Sequence, residues 1–255
     1  MSKLKTIRRT IGFCILGITC LFSFTLLSQS LPAPITLQVE IVASSGGKKP
    51  ALPKDGGDAS NVVVWLVPTN PGAGGGPSTA RPAPQITQRN KSFDPHVVVV
   101  QMGTAVQFPN RDPFLHNVFS LFDGKRFDLG FYEAGSSKIV HFDRAGVSFL
   151  FCNIHPEMSA AVIAVDTPYF GISNRAGKIN IANVPDGGYQ LNVWYERSLV
   201  EDLKRATRAV TISDSTRSLE PIRIIENPSF TPEHKNKYGQ DYIPPANNGP
   251  VYGHP

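Results

Sequence analysis

Residues 147–166 read VSFLFCNIHPEMSAAVIAVD, and this stretch decides the fold. Two apolar runs, rich in β-branched and aromatic residues, flank a short polar loop, and this pattern predicts two neighbouring strands of a sheet. The loop between them contains Cys152, His155 and Met158. A thiol, an imidazole and a thioether therefore share one tight connection between two strands.

Similar apolar, β-branched runs occur on both sides of residues 147–166. Turn residues such as Gly, Pro, Asn and Asp separate them, as is typical of a β-sandwich. The chain has 255 residues with 22 glycines and 22 prolines, a composition that suits a turn-rich chain. The sequence therefore predicts an all-β fold. The other predicted strands are 35–43, 61–67, 96–101, 103–108, 138–143, 178–184, 189–195, 208–213 and 221–225.

Residues 1–30 predict a signal peptide or an N-terminal anchor. Four basic residues precede the apolar run 11–27, and small polar residues follow it, which is the order of a secretory signal. The apolar run also approaches the length of a membrane anchor, so both alternatives stay open. Either one predicts a periplasmic location, with membrane contact only through an uncleaved anchor.

The charge of the remaining chain is nearly balanced. Beyond residue 31, 21 basic residues face 20 acidic ones, and no basic cluster is present that would neutralise phosphates, so we expect no nucleic acid partner. Cys14 and Cys20 lie in the predicted signal or anchor. Cys152 is then the one cysteine of the exported part, and no internal disulfide is expected.

A second histidine precedes the cysteine loop by 36 residues. His116 lies between two predicted strands, so a sandwich can bring it beside Cys152. Thiolate, thioether and two imidazoles together select copper. Zinc is an alternative, because it accepts two His and one Cys. Catalysis by the pair Cys152 and His155 is another. The sequence has no His-x-His pair, which argues against a multicopper oxidase, and we expect no enzymatic activity.

Residues 85–166 resemble the cupredoxin family, particularly small, amicyanin-like members with a short Cys-x-x-His-Pro-x-Met loop. The matching motifs are Phe93-Asp-Pro95, Phe108-Pro-Asn110, His116-Asn117 and residues 152–158. The resemblance implies a Greek-key β-sandwich.

The cupredoxin resemblance also implies one mononuclear type 1 copper site. Its ligands would be His116, Cys152, His155 and Met158. It further implies that Asn117 ties the two ligand loops together by hydrogen bonds, and that His155 is a partly exposed ligand through which electrons leave. Phe114, Phe119, Pro156 and Met158 are expected to form an apolar rim around it.

Residues 167–226 resemble the carboxypeptidase-regulatory or transthyretin-like sandwich, with turn glycines and a Gly-x-Tyr hairpin. Residues 35–67 either supply the first strands of this smaller sandwich, which the cupredoxin then splits by insertion, or supply edge strands of the cupredoxin. We expect residues 68–84 to be a flexible linker and residues 227–255 to be a disordered tail.

Together these features predict an exported blue-copper protein that transfers single electrons between redox partners. The partner protein is unidentified. The combination is similar to exported proteins labelled methylamine-utilisation-like. The alternative is a copper-binding, trafficking or envelope interaction module without an electron-transfer role.

Overall fold

The computed structural model describes residues 33–45, 48–51, 57–70, 82–121, 124–227, 229–230 and 234–242. The predicted signal or anchor at 1–30 lies outside these residues, as does the predicted linker from 71 to 81. In the part of the chain described, no helix is long and apolar enough to cross a membrane.

The described elements are seventeen strands and one short helix. In chain order they are β1 (Ile35–Ser45), β2 (Lys48–Ala51), β3 (Val63–Pro68), β4 (Thr87–Arg89), β5 (Ser92–Asp94), β6 (Val97–Gln101), β7 (Thr104–Pro109), β8 (His116–Ser120), β9 (Phe127–Tyr132), β10 (Ser137–Phe142), β11 (Gly146–Phe151), β12 (Ser159–Val165), β13 (Phe170–Ile172), β14 (Lys178–Ile181), β15 (Gly187–Trp194), α1 (Val200–Ala206), β16 (Arg208–Ile212) and β17 (Ile222–Glu226). The prediction of an all-β fold is confirmed.

Residues 85–166 form what we call the central sandwich. Its larger sheet has the strand order β6–β12–β11–β8–β9, and β7 pairs antiparallel with β10. Val106 and Phe108 of β7 pack with Val118 of β8 and Leu150 of β11 in one core. Phe151, the last residue of β11, is opposite Phe119 of the antiparallel strand β8, so the start of β8 lies beside the loop that follows β11.

Strands on either side of this region form a second body, the flanking sandwich. β1 pairs with β14 and β17, while β3 pairs with β13 and β15. Residues 35–45 and 63–68 therefore share sheets with residues 170–226, which is the pairing that the insertion alternative requires. Leu37 of β1, Leu66 of β3 and Leu191 of β15 share its core. The transthyretin-like resemblance of this sandwich stays a prediction.

The two sandwiches pack through strands that are buried on both faces. Ala160, Val162 and Ala164 of β12 point into the central core, and Ala161 and Ile163 point the other way. The second set packs in one cluster with β3 and β13 of the flanking sandwich, including its Val63 and Phe170. This explains why the sequence of β12 is continuously apolar rather than alternating.

An ion pair also joins the two sandwiches. His96, which precedes β6, lies with its Nε2 2.6 Å from Oε2 of Glu196, which follows β15. Its Nδ1 lies 3.0 Å from the carbonyl oxygen of Ser159. The hydrogen bond to Glu196 raises the pKa of His96 above its ordinary value of 6.5 and outweighs burial, which lowers it.

We expect this ion pair to make stability depend on pH. Because the pKa of His96 is raised in the folded state, its contribution is complete below pH 6.5 and is lost as the pH rises through the folded value. The imidazole is partly exposed, so solvent screening limits the effect to about 1 kcal/mol or less. Urea unfolding of wild type and His96→Gln at pH 5.5 and pH 9 measures it. Identical pH dependence in both proteins would contradict the assignment.

Candidate metal centre

Three of the predicted ligand residues meet at one end of the central sandwich. His116 is the first residue of β8, Cys152 follows the last residue of β11, and His155 lies three residues further along the loop to β12. Antiparallel pairing of β8 with β11 brings the two segments together. The metal-binding atoms that these three side chains offer all lie within 4.8 Å of one another.

The cysteine sulfur faces the same nitrogen atom of both imidazoles. Sγ of Cys152 lies 3.5 Å from Nδ1 of His155 and 3.8 Å from Nδ1 of His116. The centroids of the two imidazole rings are 4.9 Å apart. All three side chains are buried. The three donor atoms thus converge on one point that is shielded from water.

Backbone amides surround the sulfur. The N–H groups of Asn117, Ile154 and His155 donate hydrogen bonds to Cys152. Burial nevertheless raises the pKa of the thiol above its ordinary value, because desolvation outweighs those three hydrogen bonds. A bound cation would supply the missing charge and convert the thiol to a thiolate, so the surroundings of Cys152 fit a metal ligand.

The His155 imidazole is held in the form that ligates. Burial lowers its pKa below the ordinary value. Its ring also packs against Phe114, with ring centroids 5.8 Å apart, and Phe114 contacts the His116 ring at 5.2 Å. A neutral imidazole is the species that binds a metal, and Phe114 covers both rings.

A buried carboxylate fixes the other imidazole. Oδ2 of Asp112 lies 2.7 Å from Nε2 of His116. Asp112 also accepts hydrogen bonds from the backbone N–H groups of Asn90 and Lys91, at 2.6 and 3.0 Å. Burial opposes ionisation of this carboxyl, but these bonds outweigh it and the pKa of Asp112 lies below its ordinary value. Asp112 therefore orients His116 with Nδ1 toward the sulfur.

The loop that carries Asp112 is shaped by Asn110. Its side-chain amide donates to the carbonyl oxygens of Phe114 and Tyr132, at 2.8 and 3.2 Å. Its side-chain oxygen accepts from the backbone N–H of Asp112 at 3.0 Å. The loop between β7 and β8 is therefore fixed by hydrogen bonds within the loop and to β9.

The scan against protein-family models finds no match, and no curated protein matches the chain. Several solved structures are similar to part of it. A purple cupredoxin from Nitrosopumilus maritimus is 23% identical and covers 32% of this chain and 99% of that one, with a TM-score of 0.30. A variant of amicyanin in the Cu(I) form is 18% identical and covers 40% of this chain and 98% of that one, with a TM-score of 0.31.

A copper-containing nitrite reductase from Thermus scotoductus SA-01 is also similar. It is 24% identical over 39% of this chain, with a TM-score of 0.32, and the match spans 27% of the reductase chain.

Met158 is buried in the same core as Cys152. Its backbone N–H donates to the carbonyl oxygen of His155 at 3.1 Å, which closes the loop into a tight turn before β12. Its role as the fourth, axial ligand stays a prediction.

Two expectations about the surface of the site are wrong. His155 is buried, with an exposed fraction of 5%, rather than partly exposed. Phe119 and Met158 are fully buried and cannot form a rim, because β8 and the start of β12 face the cores. Of the expected rim, Pro156 is exposed and Phe114 is half-buried, and they are accompanied by the exposed side chains of Leu115, at 45%, and Ile154, at 38%.

Asn117 joins the two ligand segments through its main chain, while its side chain bonds to a third segment. Its side-chain amide donates to Oδ1 of Asp128 at 2.7 Å and to the carbonyl oxygen of Gly130 at 3.1 Å, so it joins β8 to β9. Its backbone N–H provides the bond to Cys152. The link to the cysteine loop therefore comes from the main chain, while the side chain fixes the neighbouring strand.

The prediction of a disordered tail is wrong for residues 234–242. Tyr242 donates to the carbonyl oxygen of Cys152, and the backbone N–H of Lys237 donates to Asn153. The sequence analysis missed this segment because it is polar and offers little to bury. It also missed Asp112, for which the spacing of four residues before His116 was the available signal.

We expect Asp112→Asn to weaken copper binding about 10- to 100-fold, because the variant removes the charge that orients and polarises the His116 ring. A competition titration against a chelator measures this affinity. Asp143→Asn is the control, since Asp143 is an exposed carboxylate paired with Lys125. Equal affinity in Asp112→Asn and wild type would show that Asp112 does not act on His116.

Proposed function

We propose that the protein binds one copper ion through His116, Cys152 and His155, with Met158 as a weak fourth ligand, and transfers single electrons between redox partners. The observation that carries this proposal is the convergence of the sulfur with Nδ1 of both imidazoles in a buried pocket. Bound copper would accept and release one electron by changing between Cu(II) and Cu(I). The central sandwich is then a cupredoxin-type domain.

The donor set favours copper over zinc. Zinc accepts two imidazoles and a thiolate but gains nothing from a thioether, whereas a His₂Cys site with a long axial Met is the blue-copper set. Met158 belongs to the buried cluster that contains Cys152, and the proposal assigns it as the thioether ligand.

Burial of the thiol argues against a Cys–His catalytic pair. A nucleophilic cysteine needs a lowered pKa and access to substrate. The pKa of Cys152 is raised by burial, and its side chain is fully buried. A ligand, by contrast, needs only to reach the metal.

The chain's own residues keep the site rigid and dry. Both ligand segments are anchored to paired strands, Asp112 fixes one imidazole, and Phe114 packs on both rings. Ligand positions that change little between the two oxidation states favour electron transfer, because few atoms must rearrange. Exclusion of water leaves no open position for a substrate.

Leu115 and Ile154 provide the contact surface for a redox partner in this proposal. Each is an exposed apolar side chain next to a ligand residue in the sequence. A small apolar contact suits a brief encounter, because transient redox complexes bury little area. The nearly balanced charge beyond residue 31 predicts weak electrostatic steering and a modest dependence on salt.

Export to the periplasm is part of the proposal and is supported by the basic, apolar and polar order of residues 1–30. The decisive test is a visible absorption spectrum with Cu(II), followed by reduction with ascorbate and reoxidation. An intense thiolate-to-copper band that bleaches and returns supports a carrier. Bound copper without that band would show that the thiolate is not a ligand, and this result would overturn the proposal of electron transfer.

A further inference from the structure

The last described segment of the chain crosses the cysteine loop. We call residues 234–242 (HKNKYGQDY) the C-terminal strap. Asn236 folds it into a turn, because its side-chain oxygen accepts from the backbone N–H groups of Tyr238 and Gln240, at 2.9 and 3.1 Å. Gly239 takes a φ of 76°, a left-handed value that glycine adopts without strain.

The strap bonds directly to the cysteine loop. The hydroxyl of Tyr242 donates to the carbonyl oxygen of Cys152 at 2.7 Å. The backbone N–H of Lys237 donates to Oδ1 of Asn153 at 3.0 Å. Two consecutive residues at the start of the loop are therefore held from outside the central sandwich.

Aromatic packing anchors the strap on the strand that precedes the loop. The His234 ring stacks on Phe151 of β11, with centroids 3.9 Å apart and planes 26° apart. Tyr242 meets the same imidazole edge-on at 5.3 Å. The hydroxyl of Tyr242 also lies 3.2 Å from Nδ1 of His234. His234 thus places the Tyr242 hydroxyl at the Cys152 carbonyl.

A chain of polar contacts connects the strap with the second ligand segment. Nζ of Lys237 lies 2.7 Å from Oδ2 of Asp128 in β9. The other oxygen of Asp128 accepts from the Asn117 side chain at 2.7 Å. Asn117 follows His116 and donates its backbone N–H to Cys152. The strap therefore bonds directly to the cysteine loop and is linked through Asp128 to the segment that begins with His116.

We infer that the C-terminal strap positions the metal ligands, with Tyr242 and Lys237 as its positioning residues. Through the Tyr242–Cys152 and Lys237–Asn153 bonds it holds the cysteine loop in the ligating conformation before metal binds. Pre-organising a loop removes the entropy that binding would otherwise lose in ordering it. The inference rests on the proposed function for the identity of the metal, but the order of the loop is a property of the metal-free chain.

Tyr242→Phe in the full chain tests the inference, because it removes one hydroxyl and keeps the ring against His234. In the metal-free protein, we expect the amides of residues 152–158 to exchange hydrogen about tenfold faster, the size of effect that one hydrogen bond supplies. In the copper form, release of Cu(I) to a chelator should accelerate by about the same factor. The reduction potential should shift downward, because the Cys152 carbonyl loses a donor that withdraws electron density.

Tyr238→Phe is the matched control. It removes a hydroxyl from the same strap, but Tyr238 is 71% exposed and its backbone N–H bonds within the strap, to Asn236. Unchanged exchange and release in Tyr242→Phe, or equal changes in both variants, would overturn the inference. If Tyr242→Phe lowers the free energy of global unfolding, Asn153→Ala answers the same question, because it removes the side-chain acceptor of the Lys237 backbone N–H and leaves Tyr242 in place.

The two proposals fail separately in this design. Absence of the thiolate-to-copper band in wild type would overturn the proposed function. Hydrogen exchange in the metal-free protein would still decide whether the strap orders the loop.

Discussion

Replacing Cys152 by Ser is expected to abolish the intense visible band and to weaken copper binding at least about 100-fold. The band comes from charge transfer between thiolate and Cu(II), and a serine hydroxyl in this buried position neither ionises nor provides a soft donor. The three backbone amides that surround the sulfur would also face a neutral oxygen. Absorption spectroscopy and a competition titration measure the two effects.

The chain offers matched controls for this substitution. Cys14→Ser and Cys20→Ser remove the same thiol group from the predicted signal or anchor. Both should retain the band at full intensity. A band that survives in Cys152→Ser would show that another group is the charge-transfer donor, and the site would have to be assigned anew.

Removing copper is expected to destabilise the protein by about 4 kcal/mol when the reference state contains free copper at a thousandfold excess over Kd. A metal that binds only the folded state adds this free energy by mass action. For a protein of this size the corresponding fall in melting temperature is about 10 °C. Calorimetry of the copper-loaded and metal-free forms measures it.

Cys152→Ser is the control for this stability effect, because it should show little shift when copper is added. The largest loss should fall in the central sandwich, whose core contains Cys152 and Met158. Equal melting temperatures for loaded and metal-free wild type would mean that copper does not occupy these ligands.

Local pattern was sufficient for the long apolar strands and for the cysteine loop, but it did not predict the strands β8, β9 and β13. Cys152 and His155 lie three residues apart, so any turn between β11 and β12 keeps them close, and this much can be deduced from spacing alone. The proximity of His116 to Cys152 could be predicted only by assuming which strands become neighbours. The structure shows that these neighbours are β8 and β11.

Exposure and long-range polar contacts could not be predicted in the same way. His155 is covered by Phe114, which lies in another loop. Asn110 folds that loop and thereby places Asp112 against His116. The composition of the C-terminal strap predicts disorder. The strap is ordered by hydrogen bonds to Cys152 and Asn153, and composition does not reveal such long-range bonds.

The all-β class, the tight loop with Cys152 and His155, and the thiol, imidazole and thioether groups on which the copper proposal rests can all be deduced from the sequence. These follow from residue type and short spacing, which act locally along the chain. The pairing of β1 and β3 with strands of residues 170–226, the bond from Asp112 to His116 and the strap across the cysteine loop are visible only in the tertiary structure. Those contacts join residues far apart in sequence, and their free energy depends on which surfaces the fold brings together.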